Sequence, residues 1–264
     1  MGKYLGQHFL TSPAIAARIV AASGVKAKDV VLEIGAGKGM LTRALAFTAA
    51  RIIAVEKDRA LIEMLAASDI AGMPNVIIKE GDIRELLRKE AFRGRLGKRY
   101  HVVANIPYYL TAHLFRMLLQ EMPSPPQSIT LLIQKEVARR VCARAPHANL
   151  LALSVQSYGT PDIVRDVSRR HFLPQPGVDS SILRISNISK IFFSKNRISE
   201  LAFFRVLRAG FAQPRKQLKN NLRGLFGARA PAALHTCGIA TRSRPENIAR
   251  EAWACLTRCV TPRK

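Results

Sequence analysis

"VLEIGAGKGMLT", residues 31–42, sets a mostly apolar run against a turn with glycine at 35, 37 and 39. A strand covered on both faces reads as such a run. The glycines tolerate positive φ and let backbone approach a ligand closely. Met40-Leu41-Thr42 then opens a segment with helical spacing. Four further apolar runs follow, at Ile52–Val55, Val76–Ile78, Val102–Ala104 and Ile129–Ile133. Leu41 and Leu45, then Leu61, Ile62 and Leu65, recur at helical intervals between them. Strand and helix in alternation predict an α/β domain with a mainly parallel sheet. Ile163–Val167 and Ser181–Ile185 are expected to add edge strands.

The ends of those strands are where the polar residues fall. Glu56 closes the second run, and Asp82 follows the third within "EGD". The fourth stops at Asn105-Ile106-Pro107-Tyr108. Open α/β sheets bind ligands at the carboxyl ends of their strands, where an acid can take both hydroxyls of a ribose. The glycine spacing excludes two common nucleotide sites. Gly39 comes one residue early for GxGxxG, and Lys38 is followed by glycine rather than the Ser or Thr of a phosphate loop. The succession of glycine turn, acid, acid and Asn-x-Pro-Tyr fits an S-adenosylmethionine site.

The asparagine suits one chemistry. An exocyclic amine on adenine is a poor nucleophile, because its lone pair is delocalised into the ring. Two acceptors that hold both N–H groups help the nitrogen become tetrahedral as it attacks a methyl group. The Asn105 side-chain oxygen and the Ile106 carbonyl are candidates for that pair. Pro107 fixes the turn, and Tyr108 offers a face on which a flipped base can stack. Such a site works by orientation and electrostatics, with neither metal nor covalent intermediate.

Composition points to the partner. The chain of 264 residues carries 42 Lys and Arg against 18 Asp and Glu, a net charge of +24. An excess of that size implies a polyanion, with nucleic acid ahead of an anionic membrane. Arg43, Arg51 and similar residues interrupt every apolar run long enough to span a bilayer. No apolar signal region opens the chain, so a cytoplasmic address is expected. From Leu201 to Pro245 there is no acidic residue and there are nine Lys or Arg. Phe203, Phe204, Leu207 and Phe211 mark a helix there that Ser199 can cap. Ser243-Arg244-Pro245-Glu246 reads as a capping box for a last helix through Trp253 and Leu256. These features divide the chain into an α/β domain, 1–187, and a small basic helical domain, 188–264. Cys142, Cys237, Cys255 and Cys259 include no CxxC pair, so no zinc site is expected and all four read as reduced thiols.

Several stretches resemble one family. Asn105-Ile106-Pro107-Tyr108 matches the Asn-(Ile/Leu)-Pro-Tyr form found in rRNA adenine N6-dimethyltransferases. "GQHFL", residues 6–10, and "HFLPQPGVDSSILRI", 171–185, look like two further signatures of those enzymes. "GFAQPRKQLKNNL", 210–222, is similar to the basic helix of the KsgA family, the small-subunit (16S) rRNA adenine N6,N6-dimethyltransferases. The resemblance implies a Rossmann-like class I S-adenosylmethionine-dependent methyltransferase domain followed by an all-helical one. It implies methyl transfer to two adjacent adenines near the 3′ end of small-subunit rRNA, with S-adenosyl-L-homocysteine as product. His8, Leu10, Gly35, Gly37, Glu56, Lys57, Asp82, Ile83 and Asn105 would bind the cofactor. Asn105, Ile106, Pro107, Tyr108 and Phe172 would serve the target adenine, with Phe172 stacking opposite Tyr108. Arg139, Arg140, Arg144, Arg169, Arg170, Arg215, Lys216, Lys219 and Arg223 are expected to bind RNA, within a pre-ribosomal small subunit and as a monomer. Ala36 stands where the family more often has proline, and His8 where asparagine is commoner. The alternatives are the large-subunit dimethyltransferases of the macrolide-resistance branch and a non-catalytic RNA-binding factor on the same fold.

Overall fold

A computed structural model describes residues 7–107 and 110–260. Seven strands form one sheet. The apolar runs supply its parallel part: β2 (Val30–Ile34), β3 (Arg51–Glu56), β4 (Val76–Glu80), β5 (His101–Asn105) and β6 (Ser128–Gln134). Of the two expected edge strands, β7 (Thr160–Val167) stands at the edge, whereas β9 (Ser180–Ser186) lies inside the sheet and pairs antiparallel with both β6 and β7, in the order β4-β3-β2-β5-β6-β9-β7. A two-residue pair, β1 (Phe9–Leu10) with β8 (Phe172–Leu173), lies outside this sheet.

The chain runs β2, β3, β4 toward one edge and then returns to place β5 on the other side of β2. That reversal opens a crevice at the carboxyl ends of the strands flanking it, the favoured ligand position in such sheets. The glycine turn leads from β2 into the helix Met40–Ala46, whose Leu41 and Leu45 are buried. Val31, Ile52, Ala54 and Val103 from three adjacent strands share a core with Ile15 and Ile19 of the helix Pro13–Ser23. Ser12 caps that helix, and Gly24 ends it in the left-handed conformation.

The chain divides into two compact units, residues 1–138 with 160–188 and residues 139–159 with 189–264. The second unit thus adds residues 139–159 to the region identified from sequence. Tyr158 explains the addition. Its ring lies 5.1 Å from Phe193 and 6.1 Å from Phe204, and its hydroxyl donates to Glu200. Arg250 is stacked 4.6 Å from the Phe192 ring.

Within this unit Ser199 caps the helix Glu200–Gly210 through the Ala202 amide, as its sequence indicates. A side chain at Gly210 would collide with the Trp253 ring, so glycine sets the approach of that helix to the last one, Arg250–Val260. The capping box differs from expectation. It opens a single 3-10 turn, Pro245–Asn247, in which the Arg244 amide donates to Asn247 at 3.2 Å. Ile248 is extended, so the helix begins later, at Arg250. The reduced state expected for all four cysteines is also corrected. Cys237 is bonded to Cys255, with Cα atoms 5.7 Å apart and within disulfide reach, while Cys142 and Cys259 are in no disulfide.

Candidate active site

The glycine turn builds the first wall of the crevice. Gly35 and Ala36 donate their amides to the Val55 carbonyl at 2.8 and 3.1 Å, tying the turn to the end of β3. Gly37 has φ +57° and faces the Phe9 ring, where an added Cβ would meet Cδ1 at 3.2 Å. Gly39, by contrast, serves packing. At φ +79°, its Cβ would strike Ile70 and Leu65 side chains, so that glycine seats the following helix rather than a ligand.

Glu56 is the best-anchored carboxylate in the crevice. It is buried, with Oε2 accepting from the Gly37 amide at 2.9 Å. Oε1 accepts from Lys57 and Asp58 at 2.8 and 3.0 Å. Three amide donors orient the group before any ligand arrives, and a lone pair of Oε2 remains for a hydroxyl donor. Asp82 caps the short helix Ile83–Leu86 by accepting from the Arg84 amide at 2.9 Å. The Arg84 side chain, Nε 2.9 Å from Oδ1, is the main reason that its carboxyl titrates low, at about 2. An ionised carboxylate only accepts, which suits the amino group of an adenine.

Asn105 ends β5 and joins this wall to the N-terminal segment. Its amide nitrogen donates to the His8 carbonyl at 3.2 Å. The His8 ring bonds the Pro174 carbonyl through Nδ1 at 2.8 Å. A carbonyl cannot donate, so Nδ1 carries the proton in that bond.

His8, Leu10, Gly35, Gly37, Glu56, Lys57, Asp82, Ile83, Asn105, Ile106 and Pro107 line this one crevice, and it lies wholly within the first unit. Tyr108 lies outside the described residues. Phe172 is not brought to the crevice lining. The residue is 4% exposed and belongs to the core cluster that includes Leu10, Val167 and Ile182. Alternation along β8 instead turns Leu173 outward, 61% exposed.

The nine basic residues expected at RNA fall in both units. Arg169 and Arg170 belong to the first, and Arg139, Arg140, Arg144, Arg215, Lys216, Lys219 and Arg223 to the second. All are exposed except Lys219, which is half-buried. The stretch 210–222 is not one helix. The helix Glu200–Gly210 ends there, Pro214 stands in the turn, and Leu218–Asn221 forms a separate short helix.

The crevice also contains a residue that sequence reasoning passed over. Glu33 sits inside the apolar run of β2, fully buried, yet it lines the crevice. Neither carboxyl oxygen has a hydrogen-bond partner among the described residues. Burial pushes its carboxyl up to about 8, and the Glu56 charge adds to the shift. The Thr42 hydroxyl opposes it by more than the Glu56 charge adds, although it makes no hydrogen bond of good geometry. The available signal was an acid within an otherwise apolar strand, one residue from the glycine turn.

A parallel sheet with a topological reversal, a glycine turn and polar acceptors at the ends of adjacent strands defines a Rossmann-like methyltransferase fold. Two solved structures share it over nearly their whole length. The 23S rRNA methyltransferase ErmE superposes with a TM-score of 0.73 at 24% identity, covering 95% of this chain and 98% of that one. A dimethyladenosine transferase from Plasmodium falciparum gives 0.75 at 23%, covering 94% and 96%. Sequence relatives lie nearer. A Ribosomal RNA small subunit methyltransferase A of Dehalococcoides mccartyi is 38% identical over 254 residues, 95% of this chain and 85% of the relative. The protein of that description from Novosphingobium aromaticivorans is 35% identical over 263 residues, 98% and 93% of the two chains. The profile of the family described as Ribosomal RNA adenine dimethylase matches residues 2–261. The chain belongs to that family, and is a methyltransferase.

Proposed function

We propose that this enzyme methylates the exocyclic N6 of two adjacent adenines near the 3′ end of small-subunit rRNA, twice each, with S-adenosylmethionine as donor. The observation that carries the reading is the convergence of Asn105 with Gly35, Glu56 and Asp82 at successive strand ends. Relatives named for the small subunit, matching most of the chain, support the choice of RNA.

The residues present fit that cofactor. Gly37 keeps its wall free of a side chain beside Phe9. Glu56, braced by three amides, would take the ribose hydroxyls, and Asp82, held ionised by Arg84, the adenine amine. His8, Leu10, Lys57 and Ile83 complete the walls. The cofactor supplies an electrophilic methyl group on a sulfonium. The protein's part is to orient the incoming amine. The Asn105 nitrogen is engaged by the His8 carbonyl, which turns its oxygen the other way, as an acceptor for one N–H of the target. The Ile106 carbonyl accepts the other, and Pro107 stiffens the turn between strand and base. The amine's proton becomes acidic only after it has gained the methyl group, so a neutral amide suffices and no strong base is required. Tyr108 is assigned to stack on the base. A partnering role for Phe172 requires that its ring leave the core.

The exposed arginines and lysines of both units would hold phosphates, giving affinity that falls steeply with salt and carries little sequence information. The substrate would be a pre-ribosomal small subunit in the cytoplasm, met by a monomeric enzyme, with a role in subunit biogenesis. No helix among the described residues is long and apolar enough to cross a membrane.

Single-turnover methyl transfer at saturating cofactor tests the central role. Asn105→Ala is expected to slow transfer by about a hundredfold or more, the scale for removing one preorganised hydrogen-bond partner of a transition state. Transfer at the wild-type rate would exclude Asn105 as the amine acceptor.

A further inference from the structure

Three of the four cysteines meet in the second unit, which contains none of the residues assigned to catalysis. Cys237 caps the helix Ala230–Thr236, its amide bonded to the Ala233 carbonyl at 3.2 Å. Gly238, with φ +67°, then turns the chain back, and the Ile239 amide reaches Leu234 at 2.9 Å. That closure sets the Cys237 side chain against the last helix. Cys255 and Cys259, four apart on the helix Arg250–Val260, present their sulfurs on one face, as metal-binding pairs at this spacing do. The three Sγ atoms all lie within 4.8 Å of one another, with Cys237 and Cys259 3.9 Å apart. All three residues are half-buried.

We propose that the reduced chain holds a soft d10 cation, Zn²⁺ being the probe of choice, on Cys237, Cys255 and Cys259, with the fourth position open to water. Four-coordinate zinc takes thiolates at about 2.3 Å, which places the sulfurs of a tetrahedron about 3.8 Å apart. The Cys237–Cys259 separation meets that edge. The Cys237–Cys255 pair reaches it once its disulfide is opened, and its Cα separation of 5.7 Å leaves room for the change. A trialkylphosphine supplies the two electrons. It is oxidised to the phosphine oxide with one water, and the disulfide becomes two thiols. Three thiols then bind one cation and release three protons, leaving a tris-thiolate complex of charge −1. The stretch Leu201–Pro245, without an acidic residue and with nine basic ones, is a favourable setting for that charge. The site would tie the helix ending at Cys237 to the last helix, as the disulfide does in the oxidised chain. Metal and disulfide are alternative fastenings of one joint.

The test uses the full chain, reduced with the phosphine and freed of it under argon. Co²⁺ is added first for its spectrum, followed by displacement with Zn²⁺. The expected result is one equivalent bound, with a thiolate-to-cobalt charge-transfer band that Zn²⁺ abolishes. Cys237→Ser, Cys255→Ser and Cys259→Ser should each weaken binding roughly tenfold or more, while Cys142→Ser leaves it unchanged. Because a variant may be ill-folded, alkylation of the wild-type protein is followed by mass spectrometry in parallel. Zn²⁺ should protect the three clustered cysteines and leave Cys142 as reactive as before. Absence of the charge-transfer band, equal alkylation with and without Zn²⁺, or binding retained by the triple variant would each overturn the proposal.

Discussion

Glu33 and Glu56 line one crevice from neighbouring strands, yet the protein treats their carboxyl groups in opposite ways. Glu56, on the rim, receives three backbone amides. Glu33, on the floor, receives none among the described residues, and burial holds its carboxyl protonated near neutrality. The same side chain thus becomes an oriented acceptor in one place and a neutral group in the other. Donor supply decides which. The glycine turn and the start of the helix after β3 aim their amides at the rim, whereas amides within β2 are already committed to β3 and β5.

The largest effect is expected at Glu56. Glu56→Gln puts an N–H₂ against backbone N–H groups and removes an acceptor from the ribose position. Affinity for S-adenosylmethionine by calorimetry should fall about tenfold to a hundredfold, the worth of hydrogen bonds to a charged group. Unchanged affinity would remove the ribose assignment.

At Glu33 the effect is on stability and has a defined sign. Its native value of about 8 lies above the ordinary 4.5, so the native state holds a proton that the unfolded chain releases. The associated stability is complete below about 4.5 and is lost as pH rises through 8, at up to about 1.4 kcal/mol per pH unit. Urea unfolding of Glu33→Gln should lack that decline between pH 5 and 8. Equal slopes in the two proteins would mean that Glu33 is ionised in the native state.

The smallest effect is expected at Arg84, whose partnership with Asp82 is partly exposed. Asp82 is depressed to about 2, so its contribution exists above about pH 4 and disappears as pH falls through 2. Arg84→Ala should move that acid limb upward and cost less than about 1 kcal/mol at neutral pH. An acid unfolding curve superimposable on the wild type would show that the pair contributes nothing.

Much of the first unit was legible in the sequence, because strands buried on both faces must be apolar and their ends cannot be. β2 to β6 and the polar residues Glu56, Asp82 and Asn105 at their ends follow from that contrast alone. What stayed hidden depended on distant partners. Phe172 lies in a two-residue strand, too short to show which side is buried until Leu10 pairs with it. Glu33 passed as part of an apolar run, because nothing local records that its neighbours supply no donor. Tyr158 joined the second unit through aromatic contacts with residues more than thirty positions away. Cys237 reaches Cys255 across 18 residues only because Gly238 reverses the chain.

The reading of the whole molecule rests on which RNA it methylates. Labelled S-adenosylmethionine should be offered to small ribosomal subunits lacking the modification, and to large subunits in parallel, with nucleoside analysis of both RNAs. N6,N6-Dimethyladenosine is expected in the small-subunit RNA alone. Label in the large-subunit RNA, or none in either while the cofactor still binds, would contradict it.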